Sequence, residues 1–229
     1  MKFRILFIIV AANILSIGFS QSKESTMIKV ISFGITLLCL LNAHAFAGQP
    51  ADTVRKEIPM DRKGRPTLSY QFDKQKAAQL RLESIESGFD SLEIRIWLDY
   101  SLAWNKPLII LTRKNGEWNG RFITMRIEWS VRQDSELVVH PNSKAVVPTM
   151  GWDKFTRELF NLGITTLPNG PDGGMDGADY NIEVATIDHY RYYGYWSPET
   201  TEAKFRGSKK MVQILHLLER AFDFKRTQL

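Results

Sequence analysis

The sequence is poor in cysteine and histidine. Its only cysteine, Cys39, lies in an N-terminal apolar run, so the rest of the chain can form no disulfide and carry no thiol nucleophile. Of the four histidines, His140, His189 and His216 lie beyond that run. None has a second histidine at i+2, i+3 or i+4, so the usual metal-ligand spacing is missing. There is no G-x-S-x-G elbow, no phosphate-cradling glycine loop and no dinucleotide fingerprint. No internal repeat or low-complexity tract occurs. No catalytic residue and no cofactor is assigned from motifs, and the balance leans away from an enzyme.

Charge of one sign is also lacking. The formal net charge is +5, but Lys2, Arg4, Lys23 and Lys29 against Glu24 fall within residues 1–47. Without that segment the balance is +2, and basic residues alternate with acids rather than gathering in a stripe. Nucleic acid is therefore not an expected partner.

Long apolar runs are short of membrane length. Ile5 to Ser20 and Val30 to Leu41 are 16 and 12 residues, below the roughly 20 of a spanning helix. The second has the form of a secretory signal: Met27 and Lys29, an apolar middle, then Ala43-His44-Ala45-Phe46-Ala47. Residues 27–47 are expected to be a signal peptide, with 1–26 an upstream extension. An uncleaved N-terminal anchor is the rival. Cys39 does not mark a lipoprotein, because Leu38 stands where a small residue should precede it. The mature chain is expected to be exported, periplasmic or extracellular, with no stable membrane span.

Residues 48–72 read as a linker, with Pro59, Pro66 and the turn-prone Lys63-Gly64-Arg65-Pro66 among charged residues. Residues 73–229 read as a single α+β domain. Lys74 to Leu82 is ambiguous between a short helix and an alternating strand. Ser91 to Tyr100 is the clearest strand, with Ile94, Ile96 and Leu98 on a core face and Glu93, Arg95, Trp97 and Asp99 on a wet one. Lys114-Asn115-Gly116-Glu117 marks a hairpin. A strict two-residue turn there sets Ile110 opposite Arg121, and a bulge near Asn119-Gly120 would relieve the mismatch. Ile123, Met125, Ile127 and Trp129 would then line the core. Leu137 to Val139 suggest a short strand before His140-Pro141.

Thr149 to Gly163 carries helix signals, with Thr149 as N-cap and Trp152, Phe155, Leu159 and Leu162 as an apolar stripe. Asp176 to Pro198 reads as a second hairpin rich in aromatics. Ser197-Pro198-Glu199 could cap a further helix, and Glu202 to Phe222 is helical with Phe205, Met211, Leu215, Leu218 and Phe222 buried. The expected fold is an antiparallel sheet of about five to seven strands built from hairpins, with two amphipathic helices on one face.

Asp172, Asp176, Gly177 and Glu183 match positions 1, 5, 6 and 12 of the calcium loop D-x-[DN]-x-[DN]-G-x5-E. Gly174 offers no ligand at position 3, Asp179 replaces an apolar residue at position 8, and Pro168 and Pro171 block an entering helix. A glycine-rich connection is the simpler reading, with Asp172, Asp176 and Glu183 kept as a weak calcium possibility. Asp99, Glu128, Asp176 and Glu183 lie at strand positions where carboxylates could converge for glycoside hydrolysis. His216 is expected beside the core and His189 at an exposed turn.

Aromatics are the remaining signal. All six Trp fall between 97 and 196, and four Tyr and one Trp fall between 190 and 196. Trp97, Trp104, Trp118, Tyr193 and Tyr195 could stand off the core, and Tyr193, Tyr195, Trp97 and Trp118 are the candidate binding residues.

The run Asp90 to Trp97, followed in order by a helix, Leu-Pro, Asp-Gly-x-x-Tyr and Tyr-x-x-Tyr-Trp-x-Pro, resembles an uncharacterised family of exported bacterial proteins over roughly residues 75–225. The resemblance implies no named activity, so it assigns no site residue. The expected function is an envelope binding or interaction module, whose partner is an unknown protein or glycan. The alternative is an envelope or glycan hydrolase using dispersed carboxylates.

Overall fold

Asn115 and Gly116 set the register of half the sheet. Their φ angles are 53° and 87°, the left-handed pair that a type I′ turn requires. They join β3 (Asn105–Lys114) to β4 (Glu117–Ser130) with Lys114 opposite Glu117 and Ile110 opposite Arg121. No bulge intervenes. Arg121 is tolerated beside Ile110 because it lies at an exposed rim of the same sheet face on which Ile110 and Ile123 are buried.

The computed structural model describes residues 54–100, 105–130, 136–171 and 177–224. Beside the first hairpin run β2 (Leu92–Tyr100) and β5 (Glu136–Val146). The second hairpin is β6 (Ala178–Ala185) with β7 (His189–Trp196), and β1 is Arg55–Glu57. The strand order is β1-β7-β6-β2-β3-β4-β5. All pairings are antiparallel except β1 with β7, which is parallel. The sheet is therefore mixed rather than purely antiparallel.

Two regions differ from expectation at strand level. β5 is an 11-residue strand, not a short one, and it runs through Pro141. Proline is tolerated there because β5 is at the sheet edge, where one side of the strand has no ladder to donate to. Within the segment read as a linker, residues 55–57 form β1 and residues 68–72 open a helix.

Among the described residues four helices complete the fold: α1 (Leu68–Gln79), α2 (Trp152–Asn161), the single turn α3 (Pro198–Thr201) and α4 (Arg206–Phe222). α2 starts three residues after the expected cap, because Gly151 takes a φ of 77° that only glycine adopts freely. Thr149 instead donates its hydroxyl to the Arg220 carbonyl of α4 at 3.0 Å. α3 begins at Ser197-Pro198 with Pro at its first position.

The sheet is buried on both faces. On one, Ile94, Ile96 and Leu98 of β2 pack with Phe155 and Leu159 of α2 and with Met211, Leu215 and Leu218 of α4. Each such aliphatic side chain contributes about 1.5–3 kcal/mol. On the other, α1 lies over Trp97, Leu108 and Ile110, with Tyr190 and Tyr192 nearer the β7 edge. The face of β2 expected to be wet is therefore covered. The sequence suggests only the end of α1, as a possible short helix from Lys74, because its buried positions are Tyr70, Asp73, Lys76 and Ala77, while Leu68 and Phe72 are exposed. The helical period is there, but its buried stripe carries charges.

Candidate binding cleft and the polar layer beneath α1

Strand alternation and register place the site. On the α1 face, β6 presents Asp179, Asn181 and Glu183, and β7 presents Tyr190, Tyr192, Gly194 and Trp196. Three rows cross the sheet from β7 through β6 to β2: Tyr192–Glu183–Arg95, Gly194–Asn181–Trp97 and Trp196–Asp179–Asp99.

Glu183 is the centre of this layer and is 0% exposed. Trp97 Nε1 donates to its Oε1 at 2.7 Å, and Lys74 Nζ and Tyr190 Oη donate to its Oε2 at 2.6 and 2.8 Å. Lys74 also lies 3.1 Å from Glu86 and 4.9 Å from the Tyr190 ring centroid. Burial first, and then the Glu183 carboxylate, push the Tyr190 phenol far above its ordinary range, so it remains a donor.

A second chain of contacts crosses from helix to sheet. Tyr192 donates to Asp73 Oδ2 at 2.7 Å. Lys76 lies 2.6 Å from Asp73 Oδ1 and 3.2 Å from Asp99 Oδ2, and Lys106 lies 2.8 Å from Asp99 Oδ1. Burial raises the Asp99 pKa, but Lys76 and Lys106 outweigh it and hold the carboxyl below its usual range. At the other end, Arg95 donates to Glu93 at 2.7 Å and to the Glu83 carbonyl at 2.6 Å.

At the β7 end this layer opens into a cleft of about 230 Å³. Thr67 and Ser69 at the start of α1 form one wall. Asp179, Asn181, Tyr192 and Trp196 form another, and Asn169 and Gly170 lie across the outer edge of β7. Gly170 N–H donates to the Gly194 carbonyl at 2.8 Å, and Gly194 N–H donates to Asn169 Oδ1 at 2.9 Å. Both glycines are required by close approach. A Cβ at Gly194 would overlap Asn181 Oδ1, and one at Gly170 would lie 2.7 Å from the Tyr195 ring.

Among the described residues, neither the Asp179 carboxyl nor the Asn181 amide makes a hydrogen bond or ion pair, although Asn181 is only 4% exposed. Burial, then the Asp99 and Asp73 carboxylates, raise the pKa of Asp179 above the ordinary carboxylate range.

Of the candidate binding residues, Tyr195 touches the cleft, and Tyr193, Trp97 and Trp118 do not line it. Tyr193 and Tyr195 are 1% and 2% exposed in the core against α4. Tyr193 donates to the Ile164 carbonyl, and Tyr195 donates to the Pro168 carbonyl at 2.7 Å. The expected exposed aromatic face is not present: the four tyrosines of β7 are buried rings whose hydroxyls all have acceptors. Trp97 is 1% exposed and tied to Glu183. Trp118 is half-buried, stacked on Trp152 with centroids 6.1 Å apart. Trp104, Asp172 and Asp176 lie outside the described residues, as do the side chains of Ile127, Glu128 and Trp129.

Glu183 cannot serve as a calcium ligand here, because Trp97, Lys74 and Tyr190 take its oxygens. Among the described residues, no three His, Cys, Asp or Glu side chains are grouped to hold a metal ion. Of the four dispersed carboxylates, Asp99 and Glu183 share the α1 face. His216 is exposed on α4, 3.1 Å from Glu219, rather than beside the core. Sequence reading missed Asp73, Lys74, Lys76, Asp179 and Asn181. The available signal was the Asp-x-Asn-x-Glu alternation of β6, which reads as a wet face until a helix is known to cover it.

Fold and cleft together define an α+β domain with a polar pocket at one end of a layer of buried charges. No family model and no curated protein matches the chain. Among the described residues no helix is long and apolar enough to cross a membrane.

Proposed function

We propose that the protein is an exported binding module that holds a small polar ligand in the cleft between α1 and the β6–β7 hairpin. The observation that carries this reading is the Asn181 side chain, which lines the cleft and makes no hydrogen bond among the described residues. Its polar atoms open to the cleft, where a ligand or ordered solvent would meet both a donor and an acceptor. Aromatic rings with a few convergent polar groups are the usual composition of a small-molecule site. Export follows from the signal pattern at residues 27–47, and the envelope is the compartment in which a glycan or peptide fragment would be met.

A ligand-observed NMR screen of small polar compounds tests the reading, with hits mapped on the protein by amide shifts. Binding should perturb Asp179, Asn181 and Tyr192, and Gly194→Ala should abolish it while the circular dichroism spectrum is retained. Hits that map elsewhere, or that survive Gly194→Ala, would remove the cleft from consideration.

The second reading is hydrolysis of envelope glycans. It draws on Asp99 and Asp179, adjacent carboxyls whose pKa values move in opposite directions, the pattern of an acid and a base. It ranks second because Asp99 is engaged by Lys76 and Lys106 and does not line the cleft. Release of reducing ends from a glycan, lost in Asp179→Asn, would promote it.

A further inference from the structure

We infer that the cleft is built for a ligand bearing an ammonium group, seated on Asp179 and flanked by the ring of Trp196. This rests on the cleft reading above and adds the charge of the ligand.

Register sets up the argument. Asp179 of β6 has Asp99 of β2 directly opposite on one side and Trp196 of β7 directly opposite on the other. Like charges directly across a sheet are destabilising. Asp99 is compensated twice, by Lys76 at 3.2 Å and Lys106 at 2.8 Å. Asp179 has no ion pair among the described residues. The groups that act on it are Asp99 of β2 and Asp73 of α1, which oppose its charge, and Lys76 of α1 and Lys106 of β3, which favour it and are already bound to those acids. Asp99 is thus neutralised within the fold, whereas Asp179 has no ion pair among the described residues and lines the cleft.

The lining has the matching chemistry. Among the described residues no lysine, arginine or histidine lines the cleft, and Asp179 is the one charged residue that does. An anionic ligand would therefore meet a carboxylate and no side-chain cation. Trp196 and Tyr192 also line the cleft, and aromatic rings attract cations as well as apolar groups. The Asn181 amide supplies both a donor and an acceptor, enough to orient a hydroxyl or carbonyl attached to the amine. A volume of about 230 Å³ suits a molecule the size of a single amino sugar or a short amino alcohol.

The test uses matched pairs differing only in charge: glucosamine with N-acetylglucosamine, and butylamine with butanol, titrated into the purified protein near pH 7 and followed by amide shifts. Each ammonium compound should bind at least about tenfold more tightly than its neutral partner, perturbing Asp179 and Trp196. Asp179→Asn should erase that preference, with its thermal melt confirming the fold. Neutral and charged members binding alike, or a preference that survives Asp179→Asn, would overturn the ammonium site while leaving the cleft intact. Failure of every compound to perturb the cleft would overturn both.

Discussion

Asp99 and Asp179 face each other across β2 and β6 as direct register partners, yet only one of them is compensated. Lys76 and Lys106 contact Asp99, and no cation contacts Asp179 among the described residues. The two acids therefore affect stability with opposite sign.

Asp179→Asn should stabilise the protein at neutral pH. The folded pKa of Asp179 is raised, so its ionised form is penalised in the folded state above that value, and the penalty vanishes once pH falls below the unfolded value. The gain at pH 7 should be about 0.2–1 kcal/mol. Thermal melts from pH 7 down to pH 3 should show the variant's advantage shrinking toward zero. A constant advantage, or a loss, would mean that the carboxyl is favourably held.

Asp99→Asn should do the reverse. Its folded pKa is depressed, so its contribution is present above the unfolded value and is lost as pH falls through the folded one. The variant should lose about 1 kcal/mol at pH 7 and converge with the parent in acid. The same melts read this out.

Glu183→Leu should be among the most damaging single changes. It leaves Trp97 Nε1, Tyr190 Oη and Lys74 Nζ without their shared acceptor, and breaking a buried charged pair costs about 3–5 kcal/mol. Urea unfolding should show the lower midpoint. Glu183→Gln keeps an acceptor for Trp97 and should lose less. Equal losses would argue that shape, not hydrogen bonding, is what Glu183 supplies.

Tyr193→Ala and Tyr195→Ala should each destabilise by about 3–5 kcal/mol, as large aromatic deletions in a core do. Both rings are buried against α4 and each hydroxyl has a carbonyl acceptor. Retention of full stability in either variant would return that residue to the surface and revive the aromatic interface.

How far the sequence could be read depended on what each helix buries. α2 and α4 show apolar stripes, and Phe155, Leu159, Met211, Leu215 and Leu218 were legible as core because their burial is apolar. The Asn115-Gly116 turn was legible because its backbone angles demand those residues. α1 was legible only in part, as one of two alternatives over Lys74 to Leu82: Asp73 and Lys76 occupy its inward positions, and charged residues ordinarily signal solvent. Leaving α1 open had a second effect. With no cover on that side of the sheet, Trp97 read as standing off the core, and the aromatic residues seemed to need a partner outside the molecule. β1 was obscured by brevity, since three residues of Arg-Lys-Glu carry no alternation.

The polar docking of α1 also fixes where that helix can sit. A helix held on a sheet by aliphatic side chains can slide and still bury much the same surface. Asp73, Lys74 and Lys76 allow no such freedom, because each must meet a particular partner: Tyr192, Glu183 and Asp99. A slip of one turn, about 5.4 Å, would break all three contacts at once. Thr67 and Ser69 at the cleft wall are carried on the same helix, so the ion pairs beneath α1 act as a ruler that sets the width of the opening.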